Sequence, residues 1–84
     1  MNLQQLTYFR EAFEQRSFSA AAKALHLAQP SLSEQIRRLE GELGVPLFVR
    51  VGRGVEPTEA GRALLPHAER VLAEIGRASC RERV

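Results

Sequence analysis

Apolar residues recur at helical spacing along most of this 84-residue chain, and the pattern predicts four helices. The first is predicted from Leu3 to about Gln15, since Asn2 and Gln5 stand at the two positions of a capping box. Its apolar stripe repeats every three or four residues and comprises Leu3, Leu6, Phe9, Ala12 and Phe13. One face of this helix is therefore expected to lie in the core.

A short second helix is predicted from Ala20 to about His26, after a break at 16–19. Either Ser17 or Ser19 can serve as its N-cap, because a serine hydroxyl accepts a hydrogen bond from a backbone N–H of the first turn. Its inner face consists of Ala21, Ala22 and Leu25. Small alanine side chains there allow a neighbouring helix to approach closely.

A third helix follows a turn at 27–29. Pro30 suits its first position, since the missing N–H costs nothing there, and Gly44 followed by Pro46 ends it. Its apolar row is Leu32, Ile36, Leu39 and Leu43. Two short helices joined by a turn of three or four residues form the helix-turn-helix layout, here at about 18–37.

The remaining pattern predicts a hairpin and a fourth helix. Strand-forming residues flank Gly52-Arg53-Gly54, so residues 47–57 are expected to form a small β-hairpin, called the wing below. Thr58 is the predicted cap of the fourth helix, which Pro66 is expected to kink or weaken. The apolar stripe of this helix resembles the start of a coiled-coil seam, and we assign to that seam Leu64, Leu65, Ala68, Val71 and Leu72.

The predicted fold is therefore mainly α: a three-helix core with a β-hairpin wing, followed by the start of a further helix. This element order is the winged helix-turn-helix arrangement. We expect a single domain at residues 1–58, because 84 residues leave room for little more than one small core. We expect residues 59–75 to be the truncated start of a linker or dimerisation helix.

The composition of the chain excludes several kinds of site and protein but does not by itself indicate a function. Residues 1–75 hold nine Lys or Arg and nine Glu, so the formal charge of +2 comes wholly from the tail and gives no argument for nucleic acid. Cys80 has no partner for an internal disulfide, and no Cys/His spacing resembles a metal site. The absence of a long apolar run or a secretory leader predicts a cytoplasmic protein with no membrane contact. His26 is expected to pack at the end of the second helix and His67 to lie on the surface; neither has an acid or nucleophile nearby in the pattern, so neither an enzyme nor a cofactor is expected.

Several phrases of the sequence resemble the LysR type of bacterial transcriptional regulator, in register over about residues 2–75. They lie at positions 6–9, 17–22, 25–33, 36–44, 47–50 and 57–61, and the central one reads Leu25-His26-Leu27-Ala28-Gln29-Pro30-Ser31-Leu32-Ser33. The resemblance implies a domain that binds double-stranded promoter DNA. It further implies a linker helix that forms a homodimer or higher oligomer, and a C-terminal domain, absent here, that binds a small-molecule effector.

The last residues depart from the resemblance. Residues 76–84 lose the apolar period and place Gly76 in the expected linker helix. They resemble the in-frame translation of a common sequencing adapter, so we expect a non-native tail; a genuine basic tail is the alternative.

The outer face of the third helix is the candidate for base reading, because it lies opposite the buried row and is polar. It is expected to enter the major groove with its N-terminal end first. We expect DNA contacts from Gln29, Pro30, Ser31, Ser33, Glu34, Arg37 and Arg38. Gln29 can pair with adenine and Ser33 with several base edges, whereas Glu34 either accepts from a cytosine amine or stays solvated. The alternative is that the two arginines form an ordinary solvated face paired with glutamates.

The wing is expected to supply positive charge through Arg50 and Arg53, with Arg53 reaching a phosphate or the minor groove. Arg53 as an ordinary exposed turn residue is the alternative. Ser17, Ser19 and Thr58 are first of all helix caps, and phosphate contacts from them are a secondary expectation. Two other functions remain open from the sequence: a winged-helix protein–protein module and a winged-helix regulator of another family.

Overall fold

The computed structural model describes residues 2–82, with side chains described for residues 2–75. Its elements, in chain order, are α1 Leu3–Gln15, α2 Phe18–Ala24, α3 Gln29–Leu43, β1 Phe48–Val51, β2 Gly54–Pro57 and α4 Glu59–Glu82. The mainly helical, winged helix-turn-helix fold expected from the sequence is confirmed. The four-residue turn between α2 and α3 and the two-stranded antiparallel wing both appear.

The capping box of α1 is present as predicted. The Asn2 side chain accepts a hydrogen bond from the Gln5 N–H at 2.8 Å, and the Gln5 side chain accepts one from the Asn2 N–H at 3.2 Å. The helix ends at Gln15 and is followed by its C-cap Arg16, whose φ of 55° lies in the left-handed region. Its stripe is buried at Leu6 and Phe9, whereas Leu3 is 45% exposed because it lies at the helix start, beyond the core.

Helix α2 begins two residues earlier than predicted, at Phe18, because Ser17 is the residue that caps it. The Ser17 hydroxyl accepts a hydrogen bond from the Ala20 N–H at 3.2 Å. Ser19 lies inside the helix, and its prediction as an alternative cap is wrong. The prediction that His26 packs at the helix end is also wrong: His26 is exposed and adopts φ of 58°, since it turns the chain sharply after α2.

Helix α3 includes Gln29, which the sequence had placed in the turn. Pro30 stands in its first turn, and Gly44 closes it in the left-handed region at φ 76°. Its apolar row is buried at three positions, Leu32, Ile36 and Leu39. Leu43 is 39% exposed, because the helix continues past the edge of the core.

The wing is a hairpin in which Phe48 pairs with Pro57 and Val51 with Gly54. Its two-residue loop is Gly52-Arg53, and Gly52 has φ of 52°. A positive φ at the first loop position is the type II′ pattern, which favours glycine there. Arg53 is thereby placed at the tip of the wing.

Backbone hydrogen bonds attach the wing to the helices on either side of it. The Val55 N–H donates to the carbonyl oxygen of Arg16 at 3.0 Å. At the wing's base, the Thr58 N–H donates to the Leu47 carbonyl at 2.9 Å, and the Thr58 hydroxyl donates to the Pro46 carbonyl at 2.7 Å. These hydrogen bonds hold the wing against the end of α1 and the start of α4.

An aromatic cluster joins the wing to the first two helices. The ring of Phe48 lies 5.5 Å from those of both Phe9 and Phe18, and it meets Phe18 edge-on at 88°. Such pairs contribute about 0.5–1.5 kcal/mol beyond the area they bury. Phe48 is buried although it opens an otherwise exposed strand, so it is the side chain that seats the wing in the core.

Helix α4 is capped by Thr58 as predicted, with the Gly61 N–H donating to the Thr58 hydroxyl oxygen at 3.1 Å. Ala68 was assigned to a dimer seam, but it is fully buried in the core of the domain, on which α4 packs through contacts with α1 and β2. Leu64, Leu65, Val71 and Leu72 are partly buried against the same core.

The predicted helix boundary near residue 75 differs from the structure, since the helical backbone of α4 continues to Glu82. Pro66 lies inside this helix. The predicted non-native tail depends on side chains at 76–84 that lie outside the described residues, and it stays a prediction. Within the described part of the chain, no helix is both long and apolar enough to cross a membrane.

Candidate nucleic-acid interface

The outer face of α3 is polar and exposed. It carries three exposed side chains, those of Glu34, Arg37 and Arg38, and the half-buried Ser33. The buried apolar row of α3 lies on the opposite side of the helix. Together with Pro30, these side chains border a shallow depression of about 340 Å³ on the helix surface. The outward-facing set predicted from helical periodicity is thus found on a single surface.

Two of the charges on this face pair with each other. The Arg38 guanidinium donates to a Glu34 carboxylate oxygen at 3.3 Å, and both side chains are 63% exposed. An exposed pair one helical turn apart contributes at most about 1 kcal/mol and is easily exchanged for another partner. Among the described residues Arg37 has no ion-pair partner. The solvated-pair alternative therefore applies to Arg38, and Arg37 remains the uncompensated cation of the helix face.

A groove connects this face to the wing. Ser33 and Arg37 on α3 and Arg50 on β1 line the same groove, which has a volume of about 190 Å³. Its floor includes Phe18 and Phe48, so the aromatic cluster lies directly beneath it. Arg50 is exposed and has no ion-pair partner in the described residues.

A second, smaller cleft lies at the N-terminal end of α3. Gln29, Arg50 and Arg53 line it together with Ser19, and its volume is about 130 Å³. Arg50 therefore borders both concavities. Five of the predicted contact residues, Gln29, Ser33, Arg37, Arg50 and Arg53, consequently form one continuous surface, which we call the α3–wing surface.

The structure places the other predicted residues differently. Ser17 borders the cleft, but its hydroxyl already serves as the α2 cap. Thr58 lies at the wing's base, where its hydroxyl donates to Pro46 and accepts from Gly61. Ser31 is exposed on the first turn of α3 but borders neither concavity.

Sequence reasoning missed two residues that position this surface. The Glu40 carboxylate accepts hydrogen bonds from the Leu47 and Phe48 N–H groups at 2.7 and 3.3 Å, which ties the end of α3 to the start of the wing. The Arg16 carbonyl holds the other strand through Val55. No local signal distinguishes Glu40 from a solvated glutamate, because both of its partners lie beyond the helix end.

Comparison with known proteins decides the family. The sequence profile of the bacterial regulatory helix-turn-helix proteins of the lysR family matches residues 3–62. The chain belongs to this family. The expected resemblance is thereby confirmed, and a winged-helix regulator of another family is excluded.

Relatives within the LysR family share about half of the aligned residues. The chain is 53% identical over 73 residues to the HTH-type transcriptional regulator BudR of Klebsiella aerogenes, covering 87% of this chain and 51% of BudR. It is 47% identical over 74 residues to the nitrogen assimilation regulatory protein nac of the same organism, covering 88% of this chain and 24% of nac. The chain thus spans about half of BudR and about a quarter of nac.

Solved structures of LysR-family domains have the same fold. The CbnR_DBD–DNA complex matches with a TM-score of 0.91 at 44% identity, over 99% of this chain and 95% of that one. The BenM_DBD/benA site 1 DNA complex matches with a TM-score of 0.91 at 37% identity, over 99% and 96% of the two chains. The structure of CbnR, a LysR family transcriptional regulator, matches with a TM-score of 0.91 over 99% of this chain and 29% of that one.

Proposed function

We propose that this LysR-family domain binds double-stranded promoter DNA sequence-specifically, as the DNA-binding domain of a bacterial transcriptional regulator. The observation that carries the proposal is the α3–wing surface, where polar donors and acceptors of a helix adjoin three arginines that have no ion-pair partner among the described residues. Polar donors and acceptors can hydrogen-bond to base edges, and unpaired arginines can bind phosphates. The likeness to CbnR_DBD and BenM_DBD, both solved with DNA, supports the same conclusion.

Helix α3 enters the major groove, which at about 12 Å is wide enough to admit a helix. Gln29 is the first helical residue and presents an amide suited to the N6 and N7 atoms of adenine. Ser33, one turn further, can donate to or accept from several bases. Arg37, another turn along, reaches a guanine or a phosphate.

The wing lies beside the groove and contacts the backbone or the minor groove. Arg53 is at the tip of the hairpin, where a two-residue loop projects it from the domain. Arg50 stands between the two concavities and neutralises phosphates near the entry of α3. These contacts set position and affinity, and the bases contacted by α3 set specificity.

Glu34 and Arg38 have a secondary role on this surface. Their ion pair reduces the repulsion that an isolated Glu34 carboxylate would exert on phosphate. On DNA the pair can open, so that Arg38 contacts the backbone and Glu34 accepts from a cytosine amine. Pro30 and Ser31 lie in the first turn of α3, the part of the helix that enters the groove first.

The division of the chain follows from this function. Residues 1–58 bind DNA, and residues 59–75 begin a linker helix that dimerises in the intact regulator. In the intact regulator, a small-molecule effector acts through a C-terminal effector domain. The protein works in the cytoplasm, and its function is binding and not catalysis.

Selection of duplexes from a random-sequence library, followed by a salt titration, tests the proposal. The chain should enrich a defined sequence, and log K for that duplex should fall with log salt at a slope of about −2 to −3, because each of three arginines releases about 0.9 counterion per phosphate. A scrambled duplex should show a similar slope at weaker affinity. Absence of enrichment together with a flat salt dependence would favour a protein-docking module instead.

A further inference from the structure

We infer that Ser19 is a positioning residue that orients Gln29 for base reading. The inference rests on the proposed function, in which Gln29 contacts a base, and adds a role for a residue of the other helix. The Ser19 hydroxyl donates a hydrogen bond to the Gln29 side-chain oxygen at 2.8 Å. This bond spans ten positions and links α2 to the first residue of α3.

The hydroxyl of Ser19 is available for this role because it is not needed for capping. Ser17 already accepts the Ala20 N–H and starts α2. Ser19 is exposed on the second residue of that helix, so its removal takes away a side-chain contact without opening a cavity. The one hydrogen bond described for its side chain is the bond to Gln29.

The backbone on both sides holds the two side chains at this distance. The Leu27 N–H donates to the Ala22 carbonyl at 2.8 Å, which fixes the turn after α2. The N–H groups of Ser31 and Leu32 donate to the Ala28 carbonyl at 3.1 and 3.3 Å, which fixes the first turn of α3. The serine therefore restrains a side chain whose own backbone is already set.

Restraint matters because a glutamine reads adenine only in one orientation. Its oxygen must accept from N6 while its amino group donates to N7, so both torsion and amide direction are specified. A free glutamine loses much of its rotamer freedom on binding, and this loss weakens the contact. The Ser19 hydroxyl uses one lone pair of the Gln29 oxygen and leaves the other for the base.

A measurement without DNA tests the restraint itself. NMR side-chain couplings of Gln29 in the parent chain should report one dominant rotamer, and Ser19→Ala should average them. Ser19→Thr keeps the hydroxyl on an exposed position and should restore the parent couplings. Averaged couplings in the parent chain would overturn the inference, whatever the chain does with DNA.

A double-mutant cycle then tests whether this restraint increases the base preference of the domain. Preference for the enriched base pair over its three alternatives is measured for the parent, Ser19→Ala, Gln29→Ala and the double variant. Ser19→Ala should lower that preference about 3- to 10-fold, the range that one hydrogen bond of ordinary net strength supports. In the Gln29→Ala background the same change should have no effect, because its target is gone.

The matched control is a hydroxyl–glutamine contact away from this surface. The Gln4 amide donates to the Tyr8 hydroxyl at 2.9 Å on α1, so Tyr8→Phe removes an exposed bond of the same kind. It should leave the base preference unchanged. Thermal unfolding of Ser19→Ala should match the parent, which separates positioning from a loss of fold.

Three other results of the DNA-binding measurements would contradict the inference. Uniform weakening on all duplexes by Ser19→Ala, persisting without Gln29, would make Ser19 a phosphate contact and overturn its positioning role. If Gln29→Ala changes the preference and Ser19→Ala does not, the inference fails while the proposed function stands. If no duplex is enriched at all, both fall together.

Discussion

The carboxylate of Glu40 accepts a hydrogen bond from the Leu47 N–H at 2.7 Å and so connects the last turn of α3 to the wing. The same oxygen accepts from the Phe48 N–H at 3.3 Å. Two functional elements of the proposed interface are thus held together by one partly buried side chain. Their relative position follows from this clamp and from the seating of Phe48 against the helices.

Glu40→Ala is expected to destabilise the domain, because two backbone N–H groups lose a charged acceptor. The cost should be about 1.5–3 kcal/mol, typical of hydrogen bonds to charged groups. For a domain of this size, each kcal/mol lowers Tm by about 4–8 °C. Glu14→Ala, which removes an exposed glutamate on α1, serves as the control and should change Tm little. Equal Tm values for the two variants would show that the clamp contributes nothing.

Gly54→Ala should displace the wing. A Cβ at this position would clash with the Arg16 carbonyl oxygen, and that oxygen is the partner of the Val55 N–H. Overpacking of this kind costs about 1–3 kcal/mol and here also breaks a backbone hydrogen bond.

Gly41→Ala is the matched control for that glycine variant, with the opposite expected sign. It lies inside α3 with open space around it, so alanine should stabilise the helix by about 0.5–1 kcal/mol. Denaturant midpoints of the two variants should therefore shift in opposite directions. A neutral Gly54→Ala would mean that the wing accommodates a side chain against Arg16.

Arg53→Ala should weaken binding to all duplexes to a similar degree. Removal of one phosphate contact lowers the salt slope by about one without changing the order of preferred sequences. Arg70→Ala removes the same charge from an exposed position on α4, which borders none of the described concavities at the α3–wing surface, and should leave the slope unchanged. A loss confined to one sequence would instead indicate direct base reading by the wing.

The chain is expected to be largely monomeric at micromolar concentration. The predicted seam lies within residues 59–75, which span only about 25 Å at about 1.5 Å per residue, or roughly two heptads, although the helical backbone of α4 continues to Glu82. Ala68 is buried in the domain's own core, so it cannot contact a second chain, and this further reduces the apolar surface available for dimerisation. Extending α4 with native-like heptads in place of residues 75–84 should produce dimers.

Analytical ultracentrifugation measures that oligomeric state directly. Ile75→Glu, at a position 41% exposed, should leave the sedimentation of the present chain unchanged. A stable dimer at low micromolar concentration, dissociated by Ile75→Glu, would contradict the expectation and show that the short helix suffices.

Much of the fold could be predicted from local signals. The capping pairs at Asn2 and Thr58 fix where α1 and α4 begin, and the four-residue repeat from Leu32 to Ile36 identifies the inner face of α3. The outer face follows from the same period, so Ser33 and Arg37 could be placed together. These signals work because cap and period are properties of a single helix.

The residues that sequence reasoning misplaced depend on contacts between elements. The hydroxyl of Ser19 bonds Gln29 on the next helix, which the sequence alone does not show, and Ala68 looks like part of a seam until α4 is packed on the core. His26 turns the chain in a left-handed conformation that is uncommon for any residue other than glycine. In each case the deciding partner is on another helix or in a turn, and no spacing within one element encodes it.

The most direct test of base reading by α3 is the ratio of affinities for the enriched and scrambled duplexes, measured for the parent chain and for Gln29→Ala and Ser33→Ala. Each variant should reduce this ratio, since a well-formed contact to a base contributes about 1–3 kcal/mol of discrimination. Binding to the scrambled duplex should stay close to that of the parent, because the arginines remain. If both variants discriminate as well as the parent, the outer face of α3 does not read the bases and the account is wrong.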